Sequence, residues 1–341
     1  MLIAATLLTA TAASSVTARC RQPSSGYHLK SRIELGGEGG WDYLTVDERA
    51  RRLYVSRSTR VVVVDVDSGK QVGEIPDTAG VHGIAIVSDL NRGFTSNGRD
   101  GSVTIFDLKT LKSLGKVKVE TNPDAIIYDP ANRRVFAFNR GSSSASAIDA
   151  ATGTVVGTVP LEGHPEFAAS DAKGTVFVNL DNKSEVVAID SKSLQVKARW
   201  PLAPGEDPSG MAIDRKNGRL FIGCGNKKMI ILDTSNGHVV ADFPIGGGVD
   251  ATAFDPETKL AFSSNGEGTL TIVQEDSPSK FHLVENVTTQ RGARTMALDP
   301  KTHRVYLATA QFGPPPAPTA DRPHPRPTIV PGSFVILVFE R

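Results

Sequence analysis

The chain has 341 residues, 39% hydrophobic and 22% charged, with 32 glycines and 21 prolines, a balance that fits a folded, turn-rich protein and excludes a disordered one. Lys plus Arg number 38 against 37 acidic residues, so a net charge of +1 gives no long-range pull toward nucleic acid or an anionic membrane. The only cysteines, Cys20 and Cys224, form neither a CxxC nor a metal pair, and the fold is expected to rest on its core.

Residues 1–18, "MLIAATLLTATAASSVTA", carry no charge, with an apolar run from Leu2 to Leu8 followed by small residues. They read as a secretory signal, which puts the mature protein in the periplasm or outside the cell. No Lys or Arg precedes the run, a departure from the usual form. The run is shorter than the roughly 20 residues a bilayer crossing needs, so no membrane span is expected. "VTARC" allows a lipoprotein reading, with Arg19 where a small residue belongs. Residues 19–26 read as a linker.

From residue 27 onward one pattern repeats. An acidic or hydroxyl residue ends an apolar strand at Asp47, Ser88, Asp129, Asp171, Asp214, Asp255 and Asp299, at intervals of 41, 41, 42, 43, 41 and 44. A second landmark closes the third strand at Asp65, Asp107, Asp149, Asp190 and Asp233, with Gln274 in the matching place. Asp-Pro at 129–130, 255–256 and 299–300 suits a type I turn, and the glycines of "DSGK", "ATGT" and "SNGH" suit tight hairpins. No amphipathic helix of useful length is present. Four antiparallel strands in about 42 residues is the spacing of a propeller blade. The predicted fold is all-β, a seven-bladed β-propeller over 27–341. The last unit is one strand short, and "YHLKSRIEL" (27–35) is expected to complete it beside Phe334–Phe339.

"RLYVSR", "RVFAFN", "TVFVNL" and "RLFIGC", each followed by a strand ending in Asp and a Thr-Gly-like turn, resemble the YVTN-repeat (YncE-like) seven-bladed β-propellers of bacterial envelopes over residues 27–340. The resemblance implies an exported propeller and a binding role, with ligand or DNA binding suggested for some members. It says little about activity, because the motif describes strands and turns.

The starts of the inner strands are Asp42, His82, Asp124, Glu166, Ser209, Asp250 and Arg294, and a propeller should gather them at one channel mouth. Hard carboxylate oxygens suit a divalent cation such as Ca²⁺, with Asp124, Glu166 and Asp250 as ligands; His82 would favour a transition metal. A carboxylate with His82 could also act as an acid and base pair. The remaining reading is a hydrated, salt-bridged mouth. The loops after the second strands add Asn97, Asn139, Asn179, Asn226 and Asn265, read as turn formers, and Arg57, Arg99 and Arg140, read as a local basic patch or solvated charge. The seventh such loop, "QFGPPPAPTADRPHPRPTIVPG" (311–332), is long and Pro-rich; it reads as a lid offering Arg322, His324 and Arg326, or as a flap. Trp41 could stack on a ligand. Cys224 reads as a small buried side chain rather than a partner of His238.

The sequence therefore describes a monomeric binding protein that takes a small molecule, metal ion or peptide at the mouth. The alternatives are a lactonase-like hydrolase or lyase using a bound cation, and an interaction scaffold or DNA-binding propeller. The balanced charge speaks against nucleic acid.

Overall fold

The computed structural model describes residues 24–317 and 327–341. The expected signal segment, most of the linker, and Arg322, His324 and Arg326 lie outside the described residues. Seven four-stranded antiparallel sheets form the blades. Their inner strands are Leu44–Asp47, Val81–Val87, Pro123–Asp129, Pro165–Ser170, Pro208–Asp214, Val249–Asp255 and Thr295–Asp299. Each touches the inner strand of the next, and Leu44–Asp47 touches Thr295–Asp299, so the ring closes. Among the described residues no helix is long and apolar enough to cross a membrane.

The middle strands are buried on both faces. Arg134–Asn139 and Ser144–Asp149 of blade 3, for example, carry Val135, Phe136, Ala137, Phe138, Ala145, Ala147 and Ile148, all fully buried. The apolar clusters each join two neighbouring blades, which is why the unit is stable only as an array.

The N-terminal strand His28–Glu34 completes blade 7. It pairs antiparallel with Val335–Glu340, Ile33 opposite Ile336. The Tyr27 hydroxyl donates to the His303 carbonyl at 2.7 Å, and its ring meets Phe262 edge-on at 5.2 Å. The glycine-rich stretch 36–40 then wraps Arg57, which is 1% exposed. Arg57 donates Nη1 to the Gly36 carbonyl (3.0 Å) and Nη2 to the carbonyls of Glu38 (3.0 Å) and Gly39 (3.3 Å), with its guanidinium 3.8 Å from the Phe334 ring centroid.

Both repeating landmarks have structural work. The Asp that ends the third strand accepts from the turn: Asp107 Oδ1 from Thr110 N, Asp149 Oδ1 from Thr152 N and Asp190 Oδ1 from Ser193 N, each at 2.7 Å. The Asp that ends the inner strand clasps the next blade. Asp129 accepts from Ser170 (2.7 Å) and Ser191 (2.6 Å), Asp255 contacts His303 (2.6 Å), and Asp299 takes Arg51 (2.7 Å). Blade 2 departs from the expected register. Its inner strand ends at Val87, paired with Arg92, and Ser88 instead opens a short 3₁₀ turn, Ser88–Leu90. A buried apolar residue there removes that clasp.

Blade 6 adds a buried acid. Glu275 is 1% exposed, accepts from Asn217 Nδ2 at 2.9 Å and faces Asp214. Burial first, then the Asp214 charge, push its pKa up to about 7 from 4.5. The folded state thus holds this proton more tightly than the unfolded chain, and stability falls as pH rises from about 4.5 through 7. Replacing Glu275 by Gln should raise the melting temperature at pH 8 and flatten its pH dependence, by an amount on the order of 1–3 kcal/mol. Thermal melts at pH 5 and pH 8 check this; an unchanged slope would count against it.

Candidate functional site

The expected ring residues come to one mouth through a repeated backbone device. In blades 2–5 the inner strand pairs at its first residue, skips two, and resumes: Val81 pairs with Asn97 and then Ile84 with Thr95, with the same break at Pro123/Ile126, Pro165/Ala168 and Pro208/Met211. Blade 6 breaks at Val249/Ala251. His82, Asp124, Glu166, Ser209 and Asp250 stand in these bulges, which re-aim a side chain away from the sheet ladder. Asp42 and Arg294 just precede their strands. The second strand of one blade holds the ring residue of the next by its backbone: Ser96 Oγ donates to the Asp124 carbonyl, Asn179 Nδ2 to the Ser209 carbonyl (2.8 Å) and Ser264 Oγ to the Arg294 carbonyl. Gly210 permits one such close approach, since a Cβ there would lie 2.5 Å from the Thr252 nitrogen.

Within the mouth the charges sort into three groups. His82 Nδ1 lies 2.5 Å from Asp42 Oδ2 and 3.6 Å from Asp124 Oδ1. One ligand atom from each of Asp42, His82 and Asp124 fits within 4.8 Å of the others. Glu166 meets Arg140 Nη1 at 3.0 Å, and Arg140 Nη2 reaches Asp181 at 2.5 Å. Asp250 meets Arg294 Nε at 3.1 Å and accepts from Ser209 Oγ at 3.2 Å. The trio close enough for one ion is therefore Asp42, His82 and Asp124. Of the carboxylates expected to hold a cation, Asp124 belongs to it, while Glu166 and Asp250 sit against arginines.

Electrostatic crowding is strong. Burial pushes Asp124 up to about 6, with Asp42 and Asp250 adding to the shift and His82 opposing it. Burial and then the Asp124 charge push Glu166 up to about 8, against Arg140. For His82, burial works toward the neutral ring, but the Asp42 hydrogen bond and the charges of Asp124, Asp42 and Glu166 outweigh it and raise the pKa to about 9. A buried acidic cluster of this kind favours any added positive charge.

Tyr43 and Phe167 were not anticipated. Burial, then the charges of Asp124, Asp42, Asp250 and Glu166, hold the Tyr43 phenol well above its ordinary pKa, so it stays neutral among those carboxylates. Its ring meets Phe167 edge-on at 5.0 Å. One residue comes from blade 1 and the other from blade 4, so the pair bars the channel. A signal was present in the sequence: the residue after each ring position is Gly83, Ala125, Gly210, Ala251 or Thr295 in five units, and aromatic only in these two.

The loop residues resolve into structural roles. Asn97 donates to Ser102 (3.1 Å) and Thr104 (2.8 Å), Asn139 to Ser144 (3.1 Å) and Ser146 (3.0 Å), and Asn265 to Thr269 (3.1 Å) and Thr271 (3.0 Å). Asn226 donates to the Pro204 carbonyl at 2.9 Å. The basic patch of Arg57, Arg99 and Arg140 does not form, because Arg57 is buried against carbonyls and Arg140 is spent on Glu166 and Asp181. Trp41 packs on Phe334 at 5.1 Å and Phe312 at 6.2 Å. The described ends of the Pro-rich loop form a ribbon, Phe312 bridged to Ile329, and with Trp41 and Arg294 they line a cavity of about 340 Å³ beside the mouth. Cys224 is free and buried.

Fold and mouth together define a seven-bladed β-propeller with an acidic channel opening on one face. No family model matches the chain. It is 25% identical over 155 residues to "Uncharacterized protein YncE" of Escherichia coli O157:H7, a match spanning 42% of this chain and 44% of that protein. With the seven blades, this match supports a YncE-like propeller family for the chain. Among solved structures, a chain of Kuenenia stuttgartiensis hydrazine synthase superposes with a TM-score of 0.70 at 18% identity, over 83% of this chain and 95% of that one. The RRP9 WD40 repeats superpose with a TM-score of 0.76 at 11% identity, over 94% and 99%. At such identities these two likenesses concern the fold alone.

Proposed function

We propose that this chain is an exported binding protein whose site is the acidic mouth, and that the mouth takes a divalent cation on Asp42, His82 and Asp124. One observation carries the reading: three ligand atoms of a hard–borderline donor set, contributed by three successive blades, lie within 4.8 Å of one another. Two carboxylates and an imidazole favour a transition metal over Ca²⁺, which takes oxygen ligands only. Glu166 and Asp250, held by Arg140 and Arg294, add acidic charge to the same mouth. The apolar run at 2–8 supports export.

Titration of the purified, metal-stripped chain with Mn²⁺, Zn²⁺ and Ca²⁺ tests this. One equivalent of a transition metal should bind, and Asp124→Asn or His82→Ala should weaken it about 100-fold or more, beyond the 10–100-fold that loss of a merely orienting neighbour costs. Because His82 at about 9 and Asp124 at about 6 must shed protons to coordinate, affinity should climb between pH 6 and pH 9 with measurable proton release. Absence of uptake at millimolar metal would refute the cation site and leave the scaffold reading. Lactone turnover abolished by the same substitutions would instead establish the hydrolase.

A further inference from the structure

Below the Tyr43–Phe167 bar the channel changes character. The residue just before the inner-strand turn is apolar in six blades: Val46, Ile86, Tyr128, Ile213, Phe254 and Leu298. All six are partly exposed. Five of them wall a cavity of about 650 Å³ that opens on the face opposite the acidic mouth. In blade 4 the position is Ser170, and there Arg215 reaches in from blade 5, donating Nε to the Ser170 carbonyl at 2.9 Å. Arg215 is the charged side chain of the lining. Asp171 is near enough to be felt, but Arg215 is in no ion pair among the described residues, whereas Arg140, Arg219, Arg294 and Arg304 are each paired.

A cavity of this volume lies within the roughly 300–1,000 Å³ range of small-molecule sites, which combine apolar walls with a few polar groups that set orientation. More of its lining surface is apolar than polar, so an apolar body gains by displacing water from it. A guanidinium with free N–H groups at the rim selects a carboxylate head, which it binds by charge-assisted hydrogen bonds. We propose that this second mouth binds a linear amphiphilic carboxylate, its chain in the apolar cavity and its head on Arg215. The site shares no residue with the cation trio and stands or falls separately from it.

Calorimetry of the full chain with n-octanoate, n-decanoate and n-decanol tests the assignment below their micelle concentrations. Decanoate should bind about four-fold tighter per added methylene than octanoate, and about ten-fold or more tighter than decanol, the gain of a hydrogen bond to a charged group. Arg215→Gln, a change at an exposed position, should erase the acid-over-alcohol preference while leaving the melting temperature unchanged. Ile213→Trp should weaken binding of both ligands by narrowing the cavity beside Arg215. Asp124→Asn should leave decanoate binding intact. Equal affinity for acid and alcohol in the unaltered protein, no gain with chain length, or loss of decanoate binding on Asp124→Asn would overturn the proposal.

Discussion

Deleting residues 1–35 is expected to abolish cooperative unfolding and drive the chain into soluble aggregates. The cut removes His28–Glu34, which pairs along the whole of Val335–Glu340, and it removes Tyr27 from its contacts with His303 and Phe262. Val335–Phe339 is almost fully buried, so its outer edge would become an unpaired apolar strand, a template for intermolecular pairing. Truncating one fully buried aromatic alone costs about 3–5 kcal/mol, and a net stability of roughly 5–15 kcal/mol does not survive that together with a lost strand. Size-exclusion chromatography and differential scanning calorimetry of the truncated chain give the answer. A monomer melting cooperatively within a few degrees of full length would show that the ring needs no such fastening.

Arg57→Ala should lower stability by about 2–4 kcal/mol, because it removes a fully buried side chain and its three part-buried hydrogen bonds to the carbonyls of 36–39, bonds to a charged group being worth about 1.5–3 kcal/mol each before water replaces them. The lost cation–π contact with Phe334 adds to this. For a chain of this size that is a fall of roughly 3–6 °C in melting temperature. Burial, and then the nearby Arg60 charge, bring the Arg57 pKa down to about 10. Folding thus favours the neutral form of this group, and linkage makes the wild type gain on the variant as pH climbs above 10. A variant melting within about 1 °C of wild type at pH 7 would disprove the clamp.

The fold was legible because two kinds of Asp recur with the blade period, and each is fixed by local chemistry that sequence displays: a carboxylate accepting turn N–H groups at Asp107, Asp149 and Asp190. Ring closure was legible from the missing last strand, and Ile33 does lie opposite Ile336. Counting strand starts also named the seven mouth positions. Their pairing was not legible, since which carboxylate meets which cation depends on side-chain reach across blades. Arg140 is 26 residues from Glu166 in sequence but 3.0 Å away in space. Arg57 misled for the same reason. Loop residues are usually solvated, and its burial depends on the N-terminal stretch folding back over it after ring closure. The shift from Ser88 to Val87 in blade 2 lies at the one-residue level where strand ends are set by hydrogen bonding rather than composition.

The break in pairing after the first residue of each inner strand in blades 2–6 has an evolutionary meaning. His82, Asp124, Glu166, Ser209 and Asp250 occupy slots that the sheets do not use for cohesion, so one side chain there is interchangeable with another at little cost to the scaffold. Three unlike chemistries, imidazole, carboxylate and hydroxyl, already occupy equivalent slots around one circle. The architecture thereby separates the positions that keep the molecule together from those whose chemistry is free to vary.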